Sequence, residues 1–298
     1  MKKLYVHQHT RLGDMILCNG LIRSLLKKNK NCSINIFCRS KNIKLINFMY
    51  RDNKKIKLIN MGENPKLINE KLLSKYEEKF ITHFLRKKNI PKKDVITIGF
   101  ENYQRIKNLN PDKKRPWPCD IIFYKQFNIS FKKRFSETYW IRDKIKEKKL
   151  YNKLIKKNEK FIFVHDDPKR NIYIKKTYFD KKIKKIIKND IKENIFNYAL
   201  ILEKASEIHI MESSIRQIIE VLNIKTKKNF LYKGRGGEHD VDLYNNKLKK
   251  FIGTNKRWKT IKNGITSVGI KNNIYNKFKR SIVSSKQKII FFKSIKRF

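Results

Sequence analysis

The sequence predicts an α/β protein built from two successive strand-and-helix halves, each suited to a parallel sheet. Two stretches carry this. The first forty residues read as strand, helix, strand, and a second alternation begins near Lys160 after an irregular, proline-containing interval. At 298 residues and 36.0 kDa, with 40% hydrophobic and 12% aromatic residues, the chain can bury one large core or two modest ones.

The elements follow in order. Residues Lys3 to Val6 form a short apolar strand, and Met15, Ile16, Leu17, Leu21, Ile22, Leu25 and Leu26 recur at helical spacing from Gly13 to Lys27. Ser33 to Cys38 makes the next strand after a polar turn, so strand, helix and strand form one βαβ unit with its two strands parallel. Further on, Ile56 to Ile59 is expected as strand, Pro65 to Tyr76 as helix, and Phe80 to Phe84 and Val95 to Phe100 as strands. The pattern dissolves around Pro111, Pro116, Trp117 and Pro118, and a Lys-rich helical stretch runs from Ile141 to Lys160. A strand at Lys160 to Val164 opens the second half. It is followed by a strand at Tyr173–Ile174, a helix at Ile195 to Ala205, a strand at Glu207 to Met211 and a helix at Ser214 to Leu222. The domains expected from this are 1–140, 141–260 and a basic tail, 261–298.

The formal charge of +48 invites a polyanion partner, and a basic nucleic-acid-binding protein is the alternative reading of the chain. The composition weakens it. Only 15 of the 74 basic residues are Arg, and Lys, Asn and Ile crowd every segment, as AT-rich codons would place them on tolerant surfaces. A phosphate-binding groove favours the bidentate Arg fork, and here basic residues are spread nearly everywhere with no RNP-like or zinc-finger pattern, so nucleic acid is not the expected partner. From Leu243 the last 56 residues hold 16 Lys or Arg and no acid. Alternation of Ile282, Val283, Ile289, Ile290, Phe291 and Phe292 with basic residues fits either a cationic helix on an anionic membrane surface or a terminal helix packed on the protein.

No apolar run reaches the ~18 residues needed to cross a bilayer, and the residues after Met1-Lys2-Lys3 are too polar for a signal peptide. The cysteines Cys18, Cys32, Cys38 and Cys119 form no C-x-x-C pair, which fits a reducing cytoplasm and offers no structural zinc site.

Three loops, each directly after a strand, concentrate polar chemistry. The first, His7-Gln8-His9-Thr10-Arg11-Leu12-Gly13-Asp14, opens a helix at what would be the carboxyl end of a parallel sheet, where ligands bind. Asp14 is either a helix-start residue or a catalytic carboxylate, and the His7/His9 pair has no third metal ligand at a recognised spacing. The second, His165-Asp166-Asp167-Pro168-Lys169-Arg170-Asn171, is a polar turn or a site where carboxylates meet ribose hydroxyls and Lys169 or Arg170 a diphosphate. The third, Glu212-Ser213-Ser214 with Arg216 one turn on, is a simple helix cap or an anion site. Gly234-Arg235-Gly236-Gly237 fits no phosphate-loop pattern, and no nucleotide-hydrolase, kinase or hydrolase signature is present. The missing glycine fingerprint after the first strand also argues against a nicotinamide-dependent enzyme.

Arg11-Leu12-Gly13-Asp14-Met15-Ile16-Leu17 with Gly20-Leu21-Ile22-Arg23-Ser24-Leu25, and the later Ala205 to Leu222, together resemble GT-B glycosyltransferases of the lipopolysaccharide heptosyltransferase type. The resemblance implies two Rossmann-like domains facing across a cleft, with a nucleotide-sugar donor on the second and a glycan or lipid-linked acceptor on the first. It also implies inverting, metal-independent transfer without a cofactor, in lipopolysaccharide or surface-glycan synthesis. By position, Asp14 becomes the general base, and His7, His9, Arg11 and Gly13 the acceptor side. The donor side falls to His165, Asp166, Asp167, Lys169, Arg170, Glu212, Ser213, Ser214 and Arg216. The chain departs from the family where Glu212-Ser213-Ser214 stands in place of the usual Asp-Thr or Asp-Ser.

Overall fold

The computed structural model describes residues 1–62, 70–99, 119–233, 244–245, 250–251, 254 and 256–267. The expected basic tail beyond 267, the glycine cluster at 234–237 and the proline-containing stretch at 111–118 lie outside them. The chain divides into two compact units.

The first unit, Met1–Thr10 with Asn29–Ile98, holds a four-stranded parallel sheet. Its strands are β1 (Lys2–His7), β2 (Cys32–Cys38), β3 (Ile56–Asn60) and β4 (Val95–Thr97), in the order β3-β2-β1-β4. β1 and β2 register Leu4 on Ile34 and Val6 on Ile36, all buried. Strands covered on both faces need apolar side chains on both, which is why Cys32–Cys38 is almost continuously buried.

The expected strand at Phe80–Phe84 is instead the interior of a helix, Glu70–Lys87. Phe80, Ile81, Phe84 and Leu85 are spaced one and four residues apart, a helical stripe that a short apolar run conceals. Phe84 meets Phe37 of β2 edge to face, with centroids 5.4 Å apart, and Ile81 and Met61 complete the cluster. The helix Ser40–Tyr50, which the strand-helix reading passed over, buries Ile46, Met49 and Tyr50.

The second unit comprises residues of Arg11–Lys28 and Gly99–Val268. Its five-stranded sheet is parallel throughout, in the order Lys259–Ile261, Asn229–Tyr232, Glu207–Met211, Phe161–His165, Lys185–Lys188. The strands are β5 (Phe161–His165), β7 (Lys185–Lys188), β8 (Glu207–Met211), β9 (Asn229–Tyr232) and β12 (Lys259–Ile261). Two short antiparallel pairs accompany it: β6 (Ile172–Ile174) with β13 (Ile265–Ser267), and β10 (Tyr244–Asn245) with β11 (Lys250–Phe251). Ile162, Val164, Met211, Tyr232 and Ile261 form its buried cluster.

The helix expected from Gly13 to Lys27 is two helices, α1 (Leu12–Leu17) and α2 (Asn19–Lys28), meeting at Cys18. They group with the second sheet. The reason is local: Tyr124 donates its hydroxyl to the Leu17 carbonyl at 3.0 Å, and Asn19 both donates to the Tyr139 carbonyl at 3.2 Å and accepts from the Tyr139 N–H at 3.0 Å. The Lys-rich helix is shorter than expected, Lys144–Leu154, with Asp143 capping its start by accepting from the Lys146 N–H. The helix that follows β8 is Ser214–Ile219.

Candidate functional site

In an open parallel sheet the strands on either side of a reversal in order leave a crevice at their carboxyl ends, and ligands settle there. In the second unit that reversal lies between β5 and β8, since the chain goes from β5 outward to β7 and then returns to β8 on the other side. The two strands are paired in register, with Val164 opposite His209 and His165 opposite Ile210. Both expected donor loops, His165 to Asn171 and Glu212 to Ser214, therefore leave adjacent strands at the same end.

A third segment joins them. A Cβ built on Gly13 would lie 3.7 Å from both Cα and N of Ser214 and 4.0 Å from Cγ of Gln217, so the start of α1 runs directly against the start of the helix Ser214–Ile219. Gly13 and Ser214 are 201 positions apart in sequence. Asp14, partly buried in the first turn of α1, follows the residue that makes this approach.

The side chains divide into those already engaged and those with capacity to spare. Arg216 is 1% exposed; its Nη1 donates to Glu212 Oε2 at 2.7 Å, and its Nε lies 3.4 Å from Glu220 Oε1. Burial works against its charge, but Glu212, Glu220 and Asp120 outweigh burial and hold the guanidinium charged. Glu212 also accepts from Gln217 Nε2 at 3.1 Å, and Gln217 Oε1 accepts from Arg134, which in turn pairs with Asp120 at 2.7 Å. Thr254 Oγ1 and Trp258 Nε1 donate to Glu220 at 2.7 and 2.9 Å. Arg216 and Glu212, both expected on the donor side, thus belong to an interior network that ties the end of β8 to its helix. The buried guanidinium is placed to hold that loop. By contrast, Ser213 Oγ is screened from solvent and has no hydrogen-bond partner among the described residues.

The loop after β5 is ordered from within. Asp166 accepts from the Ile174 N–H at 2.8 Å and pairs with Lys188, while His165 Nδ1 bonds Asn189 Oδ1 at 2.6 Å. Asn171 adopts a left-handed conformation at φ 55°, closing the turn after Pro168. Arg170 is exposed and loosely held, 3.7 Å from Asp167. The side chain of Lys169 lies outside the described residues.

In the first unit, the switch in strand order falls between β1 and β4, again beside an expected loop. His7 is half-buried, and burial, with a smaller push from His9, brings its pKa down to about 4. Thr10 is buried, donating to Glu77 Oε2 at 2.8 Å and accepting at its carbonyl from Asn42 Nδ2 at 3.0 Å, while Arg39 pairs with Glu77. Arg11 is exposed at the start of α1. Among the described residues no group of three His, Cys, Asp or Glu side chains is arranged to hold a metal ion, and no helix is long and apolar enough to cross a membrane.

Sequence reasoning did not find Asp120, Arg134 or Gln217. Arg134 follows Lys132 and Lys133 in what reads as a solvated basic run, and nothing local distinguishes the one cation that is buried.

The chain is similar in structure to a glycosyl transferase family 9 protein from Veillonella parvula, with a TM-score of 0.50 at 10% identity over 88% of this chain and 86% of that one. The fold is shared. A second similar structure is the ADP-heptose lipopolysaccharide heptosyltransferase II of E. coli, with a TM-score of 0.48 at 10% identity, covering 88% of this chain and 90% of that one. No protein-family model matches the sequence, and no curated protein matches it.

Proposed function

We propose that the chain is a glycosyltransferase that moves a sugar from a nucleotide-sugar donor to a hydroxyl of a glycan or glycolipid, with inversion and without a metal ion. The observation that carries the proposal is the convergence at one sheet end of the loops after β5 and β8 with Gly13 of the first loop. The fold shared with a protein described as a glycosyl transferase supports it.

The chemistry asks for what these loops offer. As the anomeric bond breaks, positive charge grows on the sugar and negative charge on the departing diphosphate, so preorganised donors on the leaving side do most of the work. Ser213 has an unused hydroxyl there, Ser214 opens the helix with its first-turn N–H groups, and Arg170 supplies an exposed cation on the neighbouring loop. Glu212 and Arg216 hold Ser213 in place, and His165, Asp166 and Asp167 shape the loop beside the nucleotide. On the attacking side a carboxylate must take the acceptor proton, a contribution of roughly 10²- to 10⁴-fold, and Asp14 is the carboxylate of the loop that carries His7, His9, Arg11 and Gly13.

The test is a panel of UDP-, GDP-, ADP- and CMP-sugars scored by thermal stabilisation and then by transfer. A ligand at 100 times its Kd adds about 2.7 kcal/mol to apparent stability, so one responsive nucleotide defines the donor class. No response to any nucleotide, with a salt-sensitive response to oligonucleotides, overturns the proposal.

A further inference from the structure

Burial along the first strand and the residues after it alternates: Leu4, Val6, Gln8 and Thr10 are buried, while Tyr5, His7 and His9 between them are only partly so. Gln8 thus occupies an inward position at the carboxyl end of β1, beside the switch in strand order, and is 1% exposed. A primary amide there has two donor hydrogens and a two-lone-pair acceptor to satisfy. Neither Oε1 nor Nε2 of Gln8 has a hydrogen-bond partner among the described residues.

Its neighbours make the contrast sharp. Thr10, the next inward residue, uses both its hydroxyl and its carbonyl, and Glu77 is shared between Thr10 and Arg39. The polar residues around the ends of β1 and β2 satisfy one another, and the Gln8 amide is left out at both atoms. A buried polar group without a partner loses its hydration and gains nothing, whereas a methionine of similar size fills the same space without that loss. A group of this kind calls for a partner that the described residues do not supply.

The partner's chemistry follows from the amide. It is uncharged and offers a donor beside an acceptor, the pattern met by a hydroxyl or a pair of vicinal hydroxyls, each of which also both donates and accepts. His7, the preceding residue on the other side of the strand, is uncharged at neutral pH because burial lowers its pKa. We propose that Gln8 is a binding residue for the neutral hydroxyls of a sugar, namely the acceptor, at the carboxyl end of β1. This rests on the glycosyltransferase reading and adds to it a further residue of the loop that carries Asp14.

The experiment compares the full chain with Gln8→Met and Gln8→Asn. Without ligand, Gln8→Met melts about 2 to 4 °C higher than the unsubstituted protein, because an unsatisfied amide is gone. Stabilisation by a panel of methyl glycosides (gluco, galacto, manno) is present in the unsubstituted protein, falls at least fivefold in Gln8→Met and is partly kept in Gln8→Asn. In transfer assays, acceptor KM rises while donor KM stays within twofold. A lower melting temperature for Gln8→Met shows that the amide has a partner in the free protein, such as an internal water, and overturns the inference. So does an equal or absent glycoside response in the two proteins, or an unchanged acceptor KM. Absence of transfer with every donor is a failure of the glycosyltransferase reading, and the glycoside comparison then decides the role of Gln8 by itself.

Discussion

Gly13 and Ser214 stand backbone to backbone: a methyl group on the glycine would come within 3.7 Å of the serine's Cα and N. That separation is ordinary van der Waals contact, so the absence of a side chain at Gly13 is not forced by a clash with its neighbour. Gly13→Ala is therefore expected to fold, with a melting temperature within about 2 °C of the unsubstituted protein, while Gly13→Leu fills the space beside Ser214 and lowers turnover. Thermal denaturation and transfer rates measured on the same preparations separate the two effects. A large loss of stability in Gly13→Ala contradicts the geometry.

Asp14 enters one residue later. If it takes the acceptor proton, Asp14→Asn keeps the shape and removes the base, so kcat falls by roughly 10²- to 10⁴-fold while nucleotide affinity stays within about tenfold. Titration with the responsive nucleotide and single-turnover rates provide the two numbers. Lost nucleotide affinity with undiminished turnover is the result that removes Asp14 from this role.

Gly20 makes the opposite case to Gly13. A Cβ at Gly20 would lie 2.5 Å from the Lys133 carbonyl oxygen, 3.0 Å from Thr138 Oγ1 and 3.1 Å from the Tyr124 hydroxyl. The first is a backbone atom that cannot swing aside, so α2 must shift away from Lys133–Ser136. Gly20→Ala is expected to cost about 1–3 kcal/mol in urea unfolding, even though alanine favours helices.

The network under the β8 loop yields a prediction about charge. Arg216→Met leaves Glu212 and Glu220 buried without their shared cation, a loss of about 3–5 kcal/mol. Adding Glu212→Gln to that variant removes one orphaned charge and should recover part of the loss, which a denaturant midpoint series would show. Simple additivity of the two substitutions would mean that the side chains are not coupled.

How far the sequence revealed this arrangement depended on range. Glu207–Met211 is legible to the residue because Ile208 and Ile210 alternate with Glu207 and His209 between Ser206 and Ser213, a period-two pattern with few other solutions. Phe80–Phe84 reads as strand because five residues are too few to separate a period of two from one of 3.6, and the structure makes it helix. The loops after β1, β5 and β8 were found from polar residues crowded behind apolar strands. Which of those polar side chains would be consumed in the interior was not legible: Arg216 looks like a phosphate ligand until Glu220 and Asp120 are placed beside it. Long-range pairing decides that, and a single sequence carries no trace of it at Asp120 or Arg134.

His7 links the first loop to pH. Burial, aided by His9, holds its pKa at about 4 in the folded chain, below the ordinary 6.5 that it regains on unfolding. Between those values the unfolded chain binds the proton more readily, so stability is full above pH 6.5 and falls as the pH drops toward 4. Partial exposure limits the effect to the order of 1–3 kcal/mol. His7→Gln should flatten the dependence of urea stability between pH 6.5 and 4 and leave the carboxylate-driven loss below pH 4 in place. An unchanged slope would mean that His7 is as well solvated folded as unfolded, and the burial assigned to the end of β1 would then be wrong.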